Sequence, residues 1–274
     1  MADRSRVLAF VDDSGSALRA LETAVELAGR RRVPAQAVFV EELDLVHAAG
    51  FPFATEIGVT TGAARHLDAD RLSVRLRERA DRLRAHLAAT AARQAVTWEF
   101  DVARGRLPAE IHARAAAGDW MVVGRVGWSS ARGVRLGGTA RRLATAPPCP
   151  VLFVPAEPPA AGVAGVAVAS GAADETLLPL AVALRLSADE PVVLLAGAAG
   201  AGDDGEAAMR WLAERGIPHR VSAAGAARGA DLADRVARER ARVLVLSAGH
   251  PALLHGEGAA GLVAAAQVPV MLVP

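Results

Sequence analysis

Two hydrophobic patterns alternate along this chain. Unbroken apolar runs of strand length are separated by stretches whose apolar positions recur at helical spacing. Arg6-Val-Leu-Ala-Phe-Val11 reads as a buried strand ending in Asp12-Asp13. Ser14 or Ser16 can then cap a helix carrying Leu18, Leu21, Val25 and Ala28 inward. Ala35 to Val40 is the next strand. Residues 41–70 read as a long insert containing Phe51, Pro52 and Phe53, of the kind that forms a lid, a partner surface or a disordered segment. A helix from Leu72 to Gln94 turns Leu72, Leu76, Ala80, Leu83 and Leu87 inward and arginines outward. Val96, Trp98 and Phe100 alternate as a strand, and Ala109 to Ala117 is helical. Trp120-Met-Val-Val123 is a strand, Ala140 to Thr145 a short helix, and Val151-Leu-Phe-Val154 a closing strand.

The pattern then repeats in weaker form beyond the proline-rich joint Pro155-Ala-Glu-Pro-Pro. Strands are expected over Val163–Ser170, Val192–Leu195, His219–Ser222 and Val243–Leu246, and a helix over Thr176–Ser187. The end, Val268-Pro269-Val-Met-Leu-Val273-Pro274, matches Cys149-Pro150-Val-Leu-Phe-Val154-Pro155. We read two α/β domains in tandem: 1–155, a linker over 156–162, and 163–274. Strands alternating with helices imply doubly wound parallel sheets. The expected strand order is 3-2-1-4-5, so the order reverses between the strands ending at Asp12 and at Gly124. Ligands in such sheets sit at that reversal, beyond the carboxyl ends of the strands.

Between the Trp120 strand and the Ala140 helix lies a glycine stretch, Gly124-Arg-Val-Gly127, then nine residues, then Gly137-Gly138-Thr139. Glycines uncover backbone N–H groups, and a helix start adds unpaired donors and a positive dipole end. A strand, a glycine loop and a helix in that order can cradle phosphate or can simply form a tight turn. All 31 basic side chains are arginine, so a Walker-type lysine is impossible and any phosphate must be held by amides and arginines. Residues 1–156 carry 22 arginines against 17 carboxylates, and residues 157–274 carry 9 against 13. A surplus of five on the first part suits a nucleotide. It is too small, and too poor in interleaved aromatics, for nucleic acid.

Other chemistry is thinly represented. A single cysteine, Cys149, precludes an intrachain disulfide and fits a reducing cytoplasm. From the polar, charged start no signal peptide is expected, and the apolar runs fall short of the ~18 residues of a membrane span. The seven histidines are scattered, so no protein metal site is expected. No nucleophile–base pair is evident. Asp12-Asp13 can serve a Mg²⁺ ion or a helix entry. Gly200-Ala-Gly202-Asp-Asp-Gly205 mimics a dinucleotide fingerprint. It follows the wrong strand, and its aspartates would repel a pyrophosphate, so a flexible turn is expected there.

The G-x2-G-x9-G spacing, with the strand before it and the Val151 strand after, resembles the ATP-binding branch of the universal stress protein family. The chain departs from that pattern at two places. Gly138 stands where the family has a hydroxyl residue, with Thr139 one place later. Val126 stands where arginine is common, with Arg125 beside it. The resemblance implies adenine held near Asp12 and Val40, with Asp12 on the ribose side. It implies phosphates on Gly124, Arg125, Gly127, Gly137, Gly138 and Thr139. It also implies pairing of last strands edge to edge, which a tandem chain can satisfy internally as a pseudo-dimer, Val151–Val154 beside Val270–Val273. A further homodimer is open.

The resulting expectation is a cytoplasmic tandem universal stress protein. It would bind ATP, with or without Mg²⁺, in the first domain and have no catalysis beyond slow hydrolysis at most. The second domain lacks the site: Ala169-Ser170 replaces the aspartate, and Ser247-Ala-Gly-His250 replaces the glycine loop. The alternative is a non-binding scaffold that contacts a protein partner through residues 41–70 or the second domain.

Overall fold

The computed structural model describes residues 5–11, 15–57, 62–125, 136–157, 165–169, 176–196, 202–223, 229–253 and 258–274. The expected sites Asp12, Asp13 and Gly127, the cap Ser14, Val126 and most of the 156–162 joint lie outside these residues.

The first half runs β1 (Val7–Val11), α1 (Gly15–Arg31), β2 (Ala35–Glu42), α2 (Leu43–Ala49), β3 (Thr55–Ile57), β4 (Ala64–His66), α3 (Ala69–Gln94), β5 (Trp98–Gly105), α4 (Leu107–Arg114), β6 (Trp120–Gly124), α5 (Gly138–Thr145) and β7 (Val151–Val154). The second half runs β8 (Val166–Ala169), α6 (Leu177–Ala183), β9 (Val192–Ala196), α7 (Gly202–Glu214), β10 (His219–Ala223), α8 (Gly229–Arg238), β11 (Val243–Ser247), a 3-10 turn (Pro251–Leu253), α9 (Gly258–Ala265) and β12 (Val270–Val273).

Among the described residues ten strands form one sheet, in the order β10-β9-β8-β11-β12-β7-β6-β1-β2-β5. Within each half this is the expected 3-2-1-4-5 order, and neighbouring strands are parallel. The halves meet where β12 pairs antiparallel with β7, placing Met271 opposite Leu152 and Val270 opposite Phe153. Both strands are buried throughout, so two apolar edges that would otherwise invite aggregation cover each other.

Alternation along the strands feeds two cores. Val7, Ala9, Trp120, Val122, Val243 and Val245 face a layer containing α1, α3, α6 and α7. Leu8, Phe10, Met121, Val123, Leu244 and Leu246 face α4, α5, α8 and α9. Both layers run across the seam. In α3, Asp68 accepts the Arg71 amide at 2.8 Å as an N-cap, and Leu72, Leu76, Ala80, Leu83 and Leu87 are buried as the spacing predicts.

Four local expectations are corrected. Leu18 is 38% exposed, because the buried stripe of α1 runs instead through Ala17, Leu21, Ala24, Val25 and Ala28. Ser16 lies inside the first turn of α1 rather than preceding it. The 41–70 insert contains α2 and the β3–β4 hairpin; Leu45 and Val46 pack on the core, and Arg75 holds Glu56 at 2.7 Å. Gly202 to Gly205 open α7 and do not form a loose turn.

Candidate functional site at the carboxyl end of the sixth strand

β1 and β6 are neighbours, so the reversal of strand order falls where expected, with Phe10 opposite Val123. The register carries Val11 across to Phe39 on β2. Val40 therefore follows immediately at the same end of the sheet, half-buried and paired with Ala103. Beside it, the buried Glu41 carboxylate accepts from Arg104 Nε at 3.0 Å and Nη2 at 2.9 Å.

Two helix N-termini converge on Gly124. The first turn of α1 lies so close that a Cβ at Gly124 would stand 2.5 Å from Ser16 Oγ and 2.9 Å from the Ser16 carbonyl carbon. The glycine here is therefore demanded by helix packing, whatever its role toward a ligand. α5 begins beside the next residue, Arg125. Gly137, its N-cap, donates its amide to the Arg125 carbonyl at 2.7 Å, which draws the two ends of the glycine stretch together. Among the described residues no side chain caps α5, and the Arg141 amide donates to the Gly137 carbonyl at 2.9 Å. The amides of Gly138, Thr139 and Ala140 precede that bond, as first-turn donors do. Gly138 is exposed, and a Cβ there would meet nothing within 4 Å. Thr139 borders a cleft of about 440 Å³ between α4 and α5, walled by Pro108, Ile111 and Leu143 and edged by His112 and Arg142.

Arg125 is placed in a way the linear pattern does not reveal. Only 9% of it is exposed, and its amide donates to the Val154 carbonyl at 3.1 Å. Its guanidinium crosses to the second half, where Nη1 donates to the Val263 carbonyl at 2.6 Å and to the Ala266 carbonyl. Burial pushes its pKa below the ordinary arginine value. Of the expected site residues, the fold thus brings Val40, Gly124, Gly137 and Gly138 to one end of the sheet, with Thr139 at its margin. The Arg125 side chain is committed to α9. Ser16, the close neighbour of Gly124, carries no motif signal, because the contact joins residues more than a hundred positions apart.

The matching position in the second half is closed. Ala248 donates its amide to Val273 at 2.7 Å, as Arg125 does to Val154. The chain then folds on itself: Gly249 donates to Ser247 Oγ at 3.2 Å, His250 to the Ser247 carbonyl at 3.1 Å, and Ala252 to His250 Nδ1 at 3.1 Å. Among the described residues no cluster of His, Cys, Asp or Glu could hold a metal, and no helix is long and apolar enough to cross a membrane. Burial pushes the Cys149 thiol up to about 12, so it is protonated and unreactive at neutral pH.

The strand order and the two-layer helix packing define a doubly wound α/β protein. A sequence profile of the universal stress protein family matches residues 4–155. The chain belongs to that family. The whole chain is also similar in fold to a universal stress protein from Archaeoglobus fulgidus, with a TM-score of 0.69, 15% identity, and coverage of 99% of this chain and 98% of that one. A functionally unknown protein from Pseudomonas aeruginosa matches with a TM-score of 0.50, 16% identity, and coverage of 99% and 92%. Comparison with curated protein sequences finds no match.

Proposed function

We propose that the chain is a tandem universal stress protein that binds ATP once, in its first half, and acts as a nucleotide-responsive module of a cytoplasmic stress response. The observation that carries this reading is the convergence of the α1 and α5 N-termini on the carboxyl end of β6, with the uncapped first turn of α5 open at Gly138. Helix starts of this kind favour phosphate through their amides and dipoles, without a lysine. The amides of Gly138 and Thr139 would hold phosphate, and the backbone near Val40 would face the base. Arg125 contributes through the turn's shape, because its guanidinium is engaged elsewhere. Bound phosphate would supply negative charge between the two positive helix ends. The second half is read as a domain without the site, on the strength of its closed turn at Ser247–Ala252.

Calorimetric titration of the purified chain with ATP, with and without Mg²⁺, tests this. One site per chain is expected, and two sites or none would refute it. Gly127→Asp is expected to abolish binding by charge repulsion, and unchanged affinity would remove the glycine turn from the site.

A second reading is favoured by one feature of the 41–70 insert. Phe51 and Phe53 stack at 5.4 Å while 51% and 78% exposed, and Ile57 on β3 is 68% exposed. Exposed aromatic pairs suit a protein partner. The two readings are compatible, with the insert as the output surface of the module.

A further inference from the structure

We propose that Arg125 is a positioning residue through which α9 of the second half holds the neck of the glycine turn in the first half, and that nucleotide affinity depends on this link. The inference rests on the ATP-binding reading above for its functional part. Its structural part stands independently.

The geometry is that of a three-way junction. The Arg125 amide is bonded to β7 at Val154, its carbonyl accepts from Gly137 at the N-cap of α5, and its guanidinium donates to Val263 and Ala266 at the C-terminal end of α9. These α9 carbonyls lie where a helix runs out of its own donors and carries its negative dipole end. A buried arginine both satisfies them and complements that charge. No carboxylate among the described residues forms an ion pair with Arg125, so the helix end is its counter-charge. The neck bond from Gly137 can hold its geometry only while Arg125 is fixed. α9 is what fixes it, helped by the packing of α5 against α9 through Leu143, Leu262 and Val263 in one core.

The link is one-sided. At the matching place the second half has Ala248, which makes the same backbone bond to the last strand but has no side chain to reach α5. The half with the glycine stretch is therefore the half whose arginine at this place is tied across the seam. A second arginine also crosses: Arg30 of α1 donates to the Leu184 carbonyl after α6 at 3.2 Å, on the opposite face of the sheet. Among the described residues it bonds to none of the glycine stretch, and it serves as the control.

The test uses the full chain and its variants, with Mg-ATP as probe. Arg125→Met keeps the apolar stem and removes the donors. It is expected to speed amide exchange at Gly137 and weaken ATP affinity, each by about tenfold, the scale of a lost hydrogen bond to a charged group. Arg125→Lys should recover part of both, and keeps the test open if the Met variant fails to fold. Arg30→Met should leave Gly137 exchange and ATP affinity unchanged. Wild-type exchange at Gly137 in Arg125→Met would overturn the proposal. So would equal effects from Arg30→Met, or faster exchange with undiminished affinity. If the wild type itself takes no ATP, the ATP-binding reading fails, and Gly137 exchange still decides whether α9 holds the neck.

Discussion

The turn after β6 and the turn after β11 occupy the same place in the two halves, and they begin alike. Each donates an amide to the last residue of the neighbouring closing strand, Val154 in one case and Val273 in the other. They then diverge. At the first, Gly137 donates to the Arg125 carbonyl and forms a neck next to the start of α5. The second satisfies its polar groups within six residues, using Ser247 and His250, and leads into the 3-10 turn. The same strand order thus serves two ends. Where the turn consumes its own donors, the crevice has little left to offer an anion. At the first place Gly138 at the start of α5 is exposed, and the Arg125 side chain beside the neck reaches across the seam to carbonyls at the end of α9.

The comparison breaks most readily at Gly124. Gly124→Val would drive a Cβ into the Ser16 backbone, which cannot rotate away, and should cost about 3 kcal/mol in urea unfolding. A cost near zero would mean that α1 can retreat and that the convergence of helix starts is loose. A smaller, opposite effect is expected at Gly138, where a side chain meets open space. Gly138→Ser restores a hydroxyl at the helix start and should tighten ATP binding by about tenfold, if the new group reaches phosphate. Unchanged affinity, read by the same calorimetric titration, would place the phosphate away from this turn. The smallest effect separates the halves by pH. Burial pushes the His250 imidazole below its ordinary value of 6.5, and its Nδ1 accepts the Ala252 amide, which requires the neutral ring. The unfolded chain therefore binds more protons than the folded one as pH falls below that value, so stability declines on acidification. His250→Gln should flatten the change in urea midpoint between pH 7.5 and 5.5. An identical slope in the variant would show that the closed turn does not depend on this ring.

Much of the architecture is legible in the chain because it depends on neighbours in sequence. Apolar runs and helical spacing report burial locally, and Leu72, Leu76, Ala80, Leu83 and Leu87 are buried as their spacing requires. The repeated closing motif, Cys149-Pro150 and Val268-Pro269 each before an apolar strand, marks the two strands that meet at the seam. Strand–helix alternation with right-handed crossovers points to a doubly wound sheet, and the expected order 3-2-1-4-5 is the one each half adopts. Other features escape such reading. Leu18 has the right spacing and still faces outward, because the sheet below α1 presents its core to Ala17 and Leu21 instead. Gly202 to Gly205 look like a loop by composition and form a helix start.

The amino-acid order by itself determined the alternation of elements and the position of the glycine stretch after β6, at the reversal of strand order. Each of these is written in periodicities a few residues long. Only the tertiary structure decided why Gly124 must be glycine and where the Arg125 charge goes. The first depends on a helix more than a hundred residues earlier, and the second on one more than a hundred residues later. Contacts at such separation leave no local pattern, because what selects them is the space between packed elements.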